Sequence, residues 1–186
     1  MDLLLLAAKE YSKLLGKIYL YTLETGVVLQ VEFAPGYFHH LLGLQKLTDI
    51  PQVIKNPRAY IYRNIINGKI TLNHIQRSKY FNEIESRLRH FPQINRLIEF
   101  EKVIVDFDPS LINSKLTKAD YVLYKRSNDN MFLNLFLMTD GLNRGKQIPL
   151  TFLPESTGYY THGQKTIKVL SMIEMPRAIK AKPESK

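Results

Sequence analysis

The stretch KIYLYTLETGVVLQVEF, residues 17–33, decides the fold because it places a β-hairpin inside a helical part of the sequence. Apolar and aromatic residues predominate on both sides of a short polar segment, Glu24 to Gly26, which is typical of a hairpin turn. We therefore predict strands at Lys17–Leu23 and Val27–Phe33. The Ala-Pro-Gly sequence that follows, residues 34–36, ends the second strand.

The sequence on both sides of this hairpin has helical spacing. Leucine and alanine residues recur at helical intervals over Leu3–Leu15, and Gly16 is a plausible stop. Residues 38–89 are predicted to form several short helices separated by prolines and an Asn-Gly turn. A further helix is expected at residues 80–99, with an interruption at Pro92.

The last third of the chain consists of strand-like segments separated by short loops, which favours antiparallel pairing. These segments are KVIVDF (102–107), ADYVLYK (119–125), MFLNLFLM (131–138), QIPLTFL (147–153) and TIKVLSMIEM (166–175). We predict an α+β fold, with N-terminal helices and an early β-hairpin followed by a C-terminal antiparallel sheet. It would form a single domain over residues 1–176, with a basic flexible tail at 177–186 and a cleft where the helices meet the sheet.

The charge is strongly positive, and its distribution is uneven. Lysine and arginine number 26 against 17 acidic residues, a net charge of +9, which favours polyanions such as nucleic acid. From His39 to Lys79 there are seven basic residues and one acidic residue, whereas 83–108 carries more acidic than basic residues. The positive block therefore surrounds the adjacent histidines His39 and His40.

Several classes of protein are disfavoured by what the sequence lacks. There is no cysteine, which fits a reducing compartment such as the cytoplasm and removes thiolate chemistry. The apolar run at 3–8 is too short to span a bilayer, so no membrane association is expected. Phosphate-binding loop, dinucleotide-binding, GxSxG and HExxH motifs are absent, and the five histidines lack metal-binding spacing. We therefore expect neither a metal nor a cofactor.

The remaining reactive side chains suit acid–base chemistry on a phosphodiester, and RNA supplies its own 2′-hydroxyl nucleophile. Histidine can serve as base and acid because its ordinary pKa is about 6.5. Lysine and arginine can stabilise the charge that develops on phosphorus. In GYFHHLLGLQK (36–46), a helix would place His39 and His40 about 100° apart, so only one can point inward. A structural histidine is the alternative interpretation of either residue.

Four segments together resemble a phage-associated branch of the barnase, EndoU, colicin and RelE-like nucleases. They are FAPGYFHHLLGLQKL (33–47), INGKITLNHIQRSKYF (66–81), ADYVLYK (119–125) and GYYTHGQKTIKVL (158–170). The resemblance extends from Tyr11 to Met175. Its most specific feature is an aromatic-x-His-Leu-x-Gly-Leu run formed by Phe38, His40, Leu41, Gly43 and Leu44.

The resemblance implies a metal-independent ribonuclease with helices before an antiparallel sheet, used as a toxin or effector in conflicts involving phage and mobile elements. It makes His40 the motif histidine and the first candidate for general base or acid. Lys46 becomes a candidate phosphate contact, and Ser78 with Lys79 a second polar position. In the last hairpin it points to Tyr160 together with Gln164 or Lys165, and a simple polar hairpin turn is the alternative interpretation of that segment.

The leading hypothesis is a metal-independent endoribonuclease that cleaves RNA, either tRNA or mRNA, by 2′-hydroxyl transesterification. His40 would be catalytic, with Tyr160 or Lys165 as a second group, and the basic block from Lys46 to Lys79, including Arg58, would hold the RNA. An acidic antitoxin or immunity protein is the expected partner. The alternatives are a non-catalytic nucleic-acid-binding module and a structural protein of a mobile element.

Overall fold

A computed structural model of the chain describes residues 2–98, 102–143 and 145–177. The first helix, α1, is Leu3–Ser12, and the Asp2 side chain caps it by accepting a hydrogen bond from the Leu5 amide at 3.0 Å. It ends before the predicted Leu15 because its last turn tightens. Leu14 N–H donates to the Tyr11 carbonyl at 3.0 Å, three residues back, and Gly16 then turns the chain with φ +74°.

The helical part after the hairpin consists of short pieces, as predicted. The helices are α2 (Phe38–Leu41), α3 (Pro51–Ile54), α4 (Arg58–Ile66), α5 (Leu72–Ile75) and α6 (Asn82–His90), with 3-10 turns at Pro35–Tyr37, Leu44–Lys46, Phe91–Leu97 and Pro109–Ile112. Helix α6 gives way to a 3-10 turn at Phe91 because Pro92 has no amide hydrogen to continue the α-helical ladder. Residue 99, the predicted end of this helix, lies outside the described residues.

The sheet contains the predicted hairpin and the predicted C-terminal strands. The strands are β1 (Lys17–Leu23), β2 (Val28–Glu32), β3 (Lys102–Val105), β4 (Tyr121–Arg126), β5 (Phe132–Thr139), β6 (Lys146–Glu155) and β7 (Thr166–Pro176). They close into a barrel in the order β1-β2-β6-β5-β4-β3-β7, because the long β7 pairs with β3 and then with β1. The α+β prediction is confirmed, and the early hairpin belongs to the same sheet as the later strands.

One seam of this barrel differs from the predicted antiparallel pattern. Strands β2 and β6 pair in parallel over only two register positions, Gln30 with Lys146 and Val31 with Gln147. An ion pair supports the seam, since Lys146 Nζ lies 3.0 Å from Glu32 Oε2 and Glu32 is buried. The closure of the sheet at this seam therefore depends on a short ladder and on the ion pairs of Glu32 with Lys146 and Arg177.

Two hydrophobic clusters pack against different faces of the sheet. On one face, β-strand residues such as Tyr19, Leu135 and Phe152 join the helices in the main hydrophobic core. On the other face, Val122 and Phe136 belong to a second, smaller cluster that includes Ile112 from the segment before β4. The helices and this segment therefore border β6 from opposite sides.

The predicted limits of the domain, residues 1–176, remain a prediction. Most of the predicted basic tail, residues 178–186, lies outside the described residues. None of the helices in the described ranges is long and apolar enough to cross a membrane.

Candidate active site

A cleft of about 340 Å³ lies where the helices meet the sheet, which is the position predicted from the order of the elements. It is lined by His40 of α2, the adjoining Gln45, Arg87 of α6, residues 115–118 before β4, and Leu150 and Thr151 of β6. Basic and hydroxyl side chains from four separate parts of the chain thus converge on one concave surface.

Gly43 brings α2 and α6 together at this cleft. Its φ of +79° lets the chain turn directly after α2, and its amide donates to the His40 carbonyl at 3.0 Å. A Cβ at this position would lie 3.1 Å from Arg87 Nη1 and 3.2 Å from Ile84 Cγ2. The missing side chain therefore makes room for the Arg87 guanidinium beside the His40 turn.

Arg87 is the central cation of the cleft. It is half-buried, and its Nη1 donates a hydrogen bond to Thr151 Oγ1 at 3.1 Å. Burial lowers the pKa of its guanidinium, while Tyr160 and Glu83 raise it. An arginine remains a cation at neutral pH even so. Arg87 therefore presents a partly desolvated, oriented positive charge, which interacts with an anion more strongly than a solvated one.

The position of Thr151 depends on an irregularity between β5 and β6. Phe136 faces Thr151 and Leu137 faces Pro149, so Leu150 is an extra residue in β6. Such bulges commonly reorient side chains next to functional sites. Here Leu150 and Thr151 both line the cleft, although they are neighbours in a strand.

His40 faces the cleft, whereas His39 points into the protein. Burial and the nearby Arg58 lower the pKa of His40, and the neighbouring Gln45 side chain raises it. His39 Nε2 lies 3.1 Å from the Val53 carbonyl, and burial lowers its pKa to about 4. The two histidines have different environments, as their angular separation predicts. His40 is therefore largely neutral at pH 7 and accessible from the cleft.

Tyr160 lies beside the cleft. It packs against the second cluster, as do the cleft residues Leu116 and Leu150, and its ring meets Phe136 edge-on with centroids 5.0 Å apart. Burial raises the pKa of its phenol, Arg87 lowers it, and Tyr159 and Glu155 raise it. The hydroxyl is therefore protonated at neutral pH and lies within the electrostatic influence of Arg87.

The other residues predicted in the last hairpin lie outside the lining of this cleft. Gln164 connects two loops, since its Nε2 donates to the Asp108 carbonyl at 2.8 Å and its Oε1 accepts from the Asp108 amide at 3.1 Å. The side chain of Lys165 is exposed, and its carbonyl accepts from the Val105 amide at 3.2 Å. A catalytic role for Lys165 and a substrate contact by Gln164 stay predictions.

The residues predicted to bind substrate are spread over the helical surface. Lys46 pairs with Glu83 at 3.0 Å, and Arg58 is exposed but near enough to affect both histidines. Ser78 is buried and its hydroxyl donates to the Asp49 carboxylate, which also accepts from the Lys79 amide at 3.0 Å. The structure does not bring these side chains into the cleft with His40, and their roles stay predictions.

The sequence analysis did not identify Arg87, Thr151 or the basic pair Lys115 and Lys118 as site residues. A signal for Arg87 existed, because it lies three residues after Ile84 and next to Leu88, both buried, on the inward side of α6. A charged residue at an apolar helical position is unusual enough to indicate a special environment. The position of Thr151 had no such signal, since it depends on a bulge.

The described residues offer no group of three or more histidine, aspartate or glutamate side chains that could hold a metal ion. The side chains that line the cleft supply one imidazole, one guanidinium, two ammonium groups and hydroxyls. This combination suits binding of an anion and proton transfer next to it.

Comparison with known protein families shows to which family the chain belongs. The model of the family PBECR4, described as phage-Barnase-EndoU-ColicinE5/D-RelE like nuclease4, matches residues 3–173. No curated protein matches the chain. No solved structure matches it either. Since the family model covers nearly the whole chain, including every residue of the cleft, the chain belongs to the phage-Barnase-EndoU-ColicinE5/D-RelE like nuclease4 family.

Proposed function

We propose that this nuclease is a metal-independent endoribonuclease that cleaves RNA by attack of a 2′-hydroxyl on the adjacent phosphate. The observation that carries the proposal is that His40 and Arg87 line one cleft, where Gly43 packs against Arg87. This pair supplies a neutral base and a fixed cation at one site. Those are two of the three groups that the reaction needs.

His40 is the proposed general base. Its lowered pKa keeps the imidazole unprotonated at neutral pH, so it can accept the proton of the 2′-hydroxyl as the oxygen attacks phosphorus. The Gln45 side chain lines the same cleft and lies close enough to the imidazole to influence its pKa.

Arg87 is the proposed electrostatic stabiliser of the phosphorane. Its guanidinium is already held by Thr151 Oγ1 at 3.1 Å, so it is oriented before substrate binds. A desolvated, oriented cation stabilises developing charge more than a mobile one does. Thr151 can in turn donate its own hydroxyl proton to a non-bridging phosphate oxygen.

Tyr160 is the proposed general acid for the leaving 5′-oxygen. Its phenol is protonated at neutral pH, and Arg87 stabilises the phenolate that remains after proton transfer. The O2′–P bond forms, the P–O5′ bond breaks, and the proton from Tyr160 goes to the 5′-oxygen. The products are a 2′,3′-cyclic phosphate and a 5′-hydroxyl end.

The rim of the cleft supports a nucleic-acid substrate. Lys115 and Lys118 are exposed, and both side chains line the cleft beside Thr117. Together with the net charge of +9, they favour approach of a polyanion and contacts with the phosphates on either side of the cleavage site. The RNA, a tRNA or an mRNA, would need an unpaired segment to enter a cleft of this size.

We place the enzyme among toxins or effectors of a phage or mobile-element conflict system. A cell that carries an active ribonuclease needs a means of restraining it. The positive rim makes an acidic antitoxin or immunity protein the fitting partner, because complementary charge accelerates association. A neutral partner bound away from the cleft would contradict this part of the proposal.

The test is incubation of the purified protein with total RNA in excess EDTA, next to His40→Ala and Arg87→Ala. The parent should give discrete fragments, and both variants should lose activity by 100-fold or more. Arg89→Ala is the matched control, since Arg89 is exposed on the same helix and pairs with Glu85 at 3.0 Å. Cleavage that requires a divalent cation, or that survives in His40→Ala, would contradict the proposal.

A non-catalytic nucleic-acid-binding module remains the second candidate, because Arg87, Lys115 and Lys118 could hold a phosphate without cleaving it. The experiment on total RNA also distinguishes these two functions. A binding module would retain RNA in a mobility-shift assay and leave every RNA intact after long incubation.

A further inference from the structure

A second cleft of about 480 Å³ adjoins the first. It is lined by Leu111, Ile112, Phe132, Thr157, Gly158, Tyr159, Thr161 and His162. The segment before β4 forms a wall of both clefts, with residues 111–112 in the second and 115–118 in the first. Tyr159 of the second cleft meets Tyr160 edge to face, with ring centroids 5.1 Å apart, and Arg87 of the first cleft in turn lowers the pKa of Tyr160.

The walls of this second cleft are apolar and aromatic, and much of that surface is exposed. Leu111 is 54% exposed and Tyr159 is 44% exposed. The Tyr159 hydroxyl donates to the Ile112 carbonyl, which holds the ring against the segment that carries Leu111. Because a large exposed aromatic surface in a concave site is costly to leave in water, it indicates a ligand with an apolar face.

The turn at Gly158 shapes the floor of the second cleft. Its φ is +74°, and a Cβ there would lie 3.3 Å from Phe132 Cζ. The backbone can therefore approach the Phe132 ring closely. The guanidinium of Arg126 lies 5.6 Å from the centroid of the same ring, which places a cation next to the aromatic surface.

Polar groups at the edge of the second cleft can bind the rim of a flat ring. Thr157 Oγ1 donates to Glu155 Oε2 at 2.8 Å, and Thr161 Oγ1 donates to the Gly158 carbonyl at 2.9 Å. Each hydroxyl uses its proton within the protein, and its oxygen can still accept a hydrogen bond from a ligand. The exposed His162 adds a further donor or acceptor.

We propose that this second cleft binds one unpaired nucleobase of the RNA whose phosphate lies in the first cleft, with Tyr159 as its stacking surface. The inference rests on the proposed function for the identity of the polymer. A nucleobase has the flat apolar faces and polar edges that these walls match, and its phosphate would lie toward Arg87, beyond the tyrosine pair. Base stacking on an aromatic side chain typically changes affinity roughly 5- to 150-fold.

The experiment measures binding to a set of 2′-O-methyl RNA octamers, which lack the 2′-hydroxyl nucleophile and stay intact. One octamer is complete, and the others each carry an abasic residue at one position. The parent protein should show one position at which loss of the base weakens binding about 10-fold or more. Tyr159→Ala should weaken binding of the complete octamer by a similar factor. The variant should also bind the complete octamer and the octamer that is abasic at that position with equal affinity.

Matched variants separate stacking from folding. Tyr159→Phe keeps the ring and should retain base sensitivity, and Leu111→Ala, at an exposed apolar position of the same cleft, should reduce it. Tyr60→Ala is the control, because Tyr60 is 43% exposed on α4 and lies outside both clefts. Failure of the complete octamer to bind would overturn the inference. So would independent effects, in which the loss of affinity from Tyr159→Ala and the loss from the abasic residue multiply when the two changes are combined. The octamers cannot be cut, so this binding test does not depend on catalysis. Base-sensitive binding by a protein that never cleaves RNA would contradict the proposed function but not the base-binding cleft.

Discussion

Gly43 and Arg87 are packed so closely that a single added methyl group on Gly43 would lie 3.1 Å from the arginine Nη1. The glycine follows the α2 turn that carries His40, and the arginine comes from α6, whose residues are far away in the sequence. This contact brings the turn that follows the proposed base against the helix that carries the proposed cation. It also gives a physical reason for a glycine between His40 and Leu44.

Gly43→Ala should therefore reduce both activity and stability. The φ of +79° costs an alanine about 1–2 kcal/mol, and displacement of Arg87 should lower cleavage about 100-fold. Gly16→Ala is the matched control, since Gly16 has φ +74° but nothing within 4 Å of an added Cβ. Cleavage rates and urea unfolding of both variants test this. Equal activity in the two variants would contradict a role for the contact with Arg87.

Arg87→Lys should lower kcat about 10- to 100-fold and change KM little. A lysine keeps the charge but cannot hold Thr151 and a phosphate oxygen at once through a planar fork. Steady-state kinetics on a short RNA measures both constants. If KM rises while kcat stays constant, Arg87 binds the ground state and does not act mainly on the transition state.

The pH dependence of cleavage should report His40. As general base it must be neutral, so activity falls as pH falls through its pKa, which burial and Arg58 hold below 6.5. Arg58→Ala removes one of the groups that lower this pKa, so the acidic limb of kcat/KM should move to higher pH. Arg63→Ala, an exposed arginine on the same helix, should leave the limb in place. A limb that moves to lower pH in Arg58→Ala would contradict the assignment.

His39 should affect stability and not chemistry. It is buried with a hydrogen bond to the Val53 carbonyl at 3.1 Å, so His39→Ala should cost about 1–3 kcal/mol while the folded variant cleaves at nearly the parent rate.

Because burial lowers the pKa of His39 from 6.5 to about 4, the unfolded chain binds the proton more readily. The contribution of His39 to stability is therefore complete above pH 6.5 and declines as pH falls toward 4. Denaturant unfolding across this range compares parent and variant.

The parallel seam of the barrel should be sensitive to acid. The pKa of Glu32 is lowered in the fold, where hydrogen bonds and charge from Lys146, Gln30 and Arg177 outweigh the cost of burial. Its stabilising contribution is therefore present above its ordinary pKa of 4.5 and is lost as pH falls through the lower folded value. Glu32→Gln should cost about 2 kcal/mol at pH 7 and less in acid. Thermal unfolding at several pH values provides the measurement, and a constant difference would contradict this account.

Much of the fold follows from local sequence patterns. The 3.6-residue period of α1, the turn residues at 24–26 and the β-rich segments after residue 102 predict the α+β class and the order of elements. Closure of the sheet has no comparable local signal. It depends on β7 being long enough to pair with both β3 and β1, and on a parallel contact between β2 and β6 of only two register positions.

The candidate site could be predicted only in part for the same reason. His40 belongs to a recognisable local run, and its basic surroundings favour a functional role. Arg87 is marked in the sequence only as a charge among the apolar positions of α6, and its packing against Gly43 is visible only in the structure. Thr151 enters the cleft through a bulge at Leu150. For Gln164 the sequence analysis predicts a substrate contact. It gives no sign of the contact with Asp108, because that contact links two loops that are distant in sequence.

The most direct measurement of the central claim uses one RNA whose cleavage site has been mapped, and a matched RNA with a single 2′-deoxy nucleotide on the 5′ side of that site. In excess EDTA, the parent should cut the first RNA to a 2′,3′-cyclic phosphate end and leave the second intact at that position. His40→Ala should cut neither. Cleavage of the deoxy-substituted RNA at the same position, or fragments that end directly in a 3′-hydroxyl, would contradict transesterification by the His40 and Arg87 site.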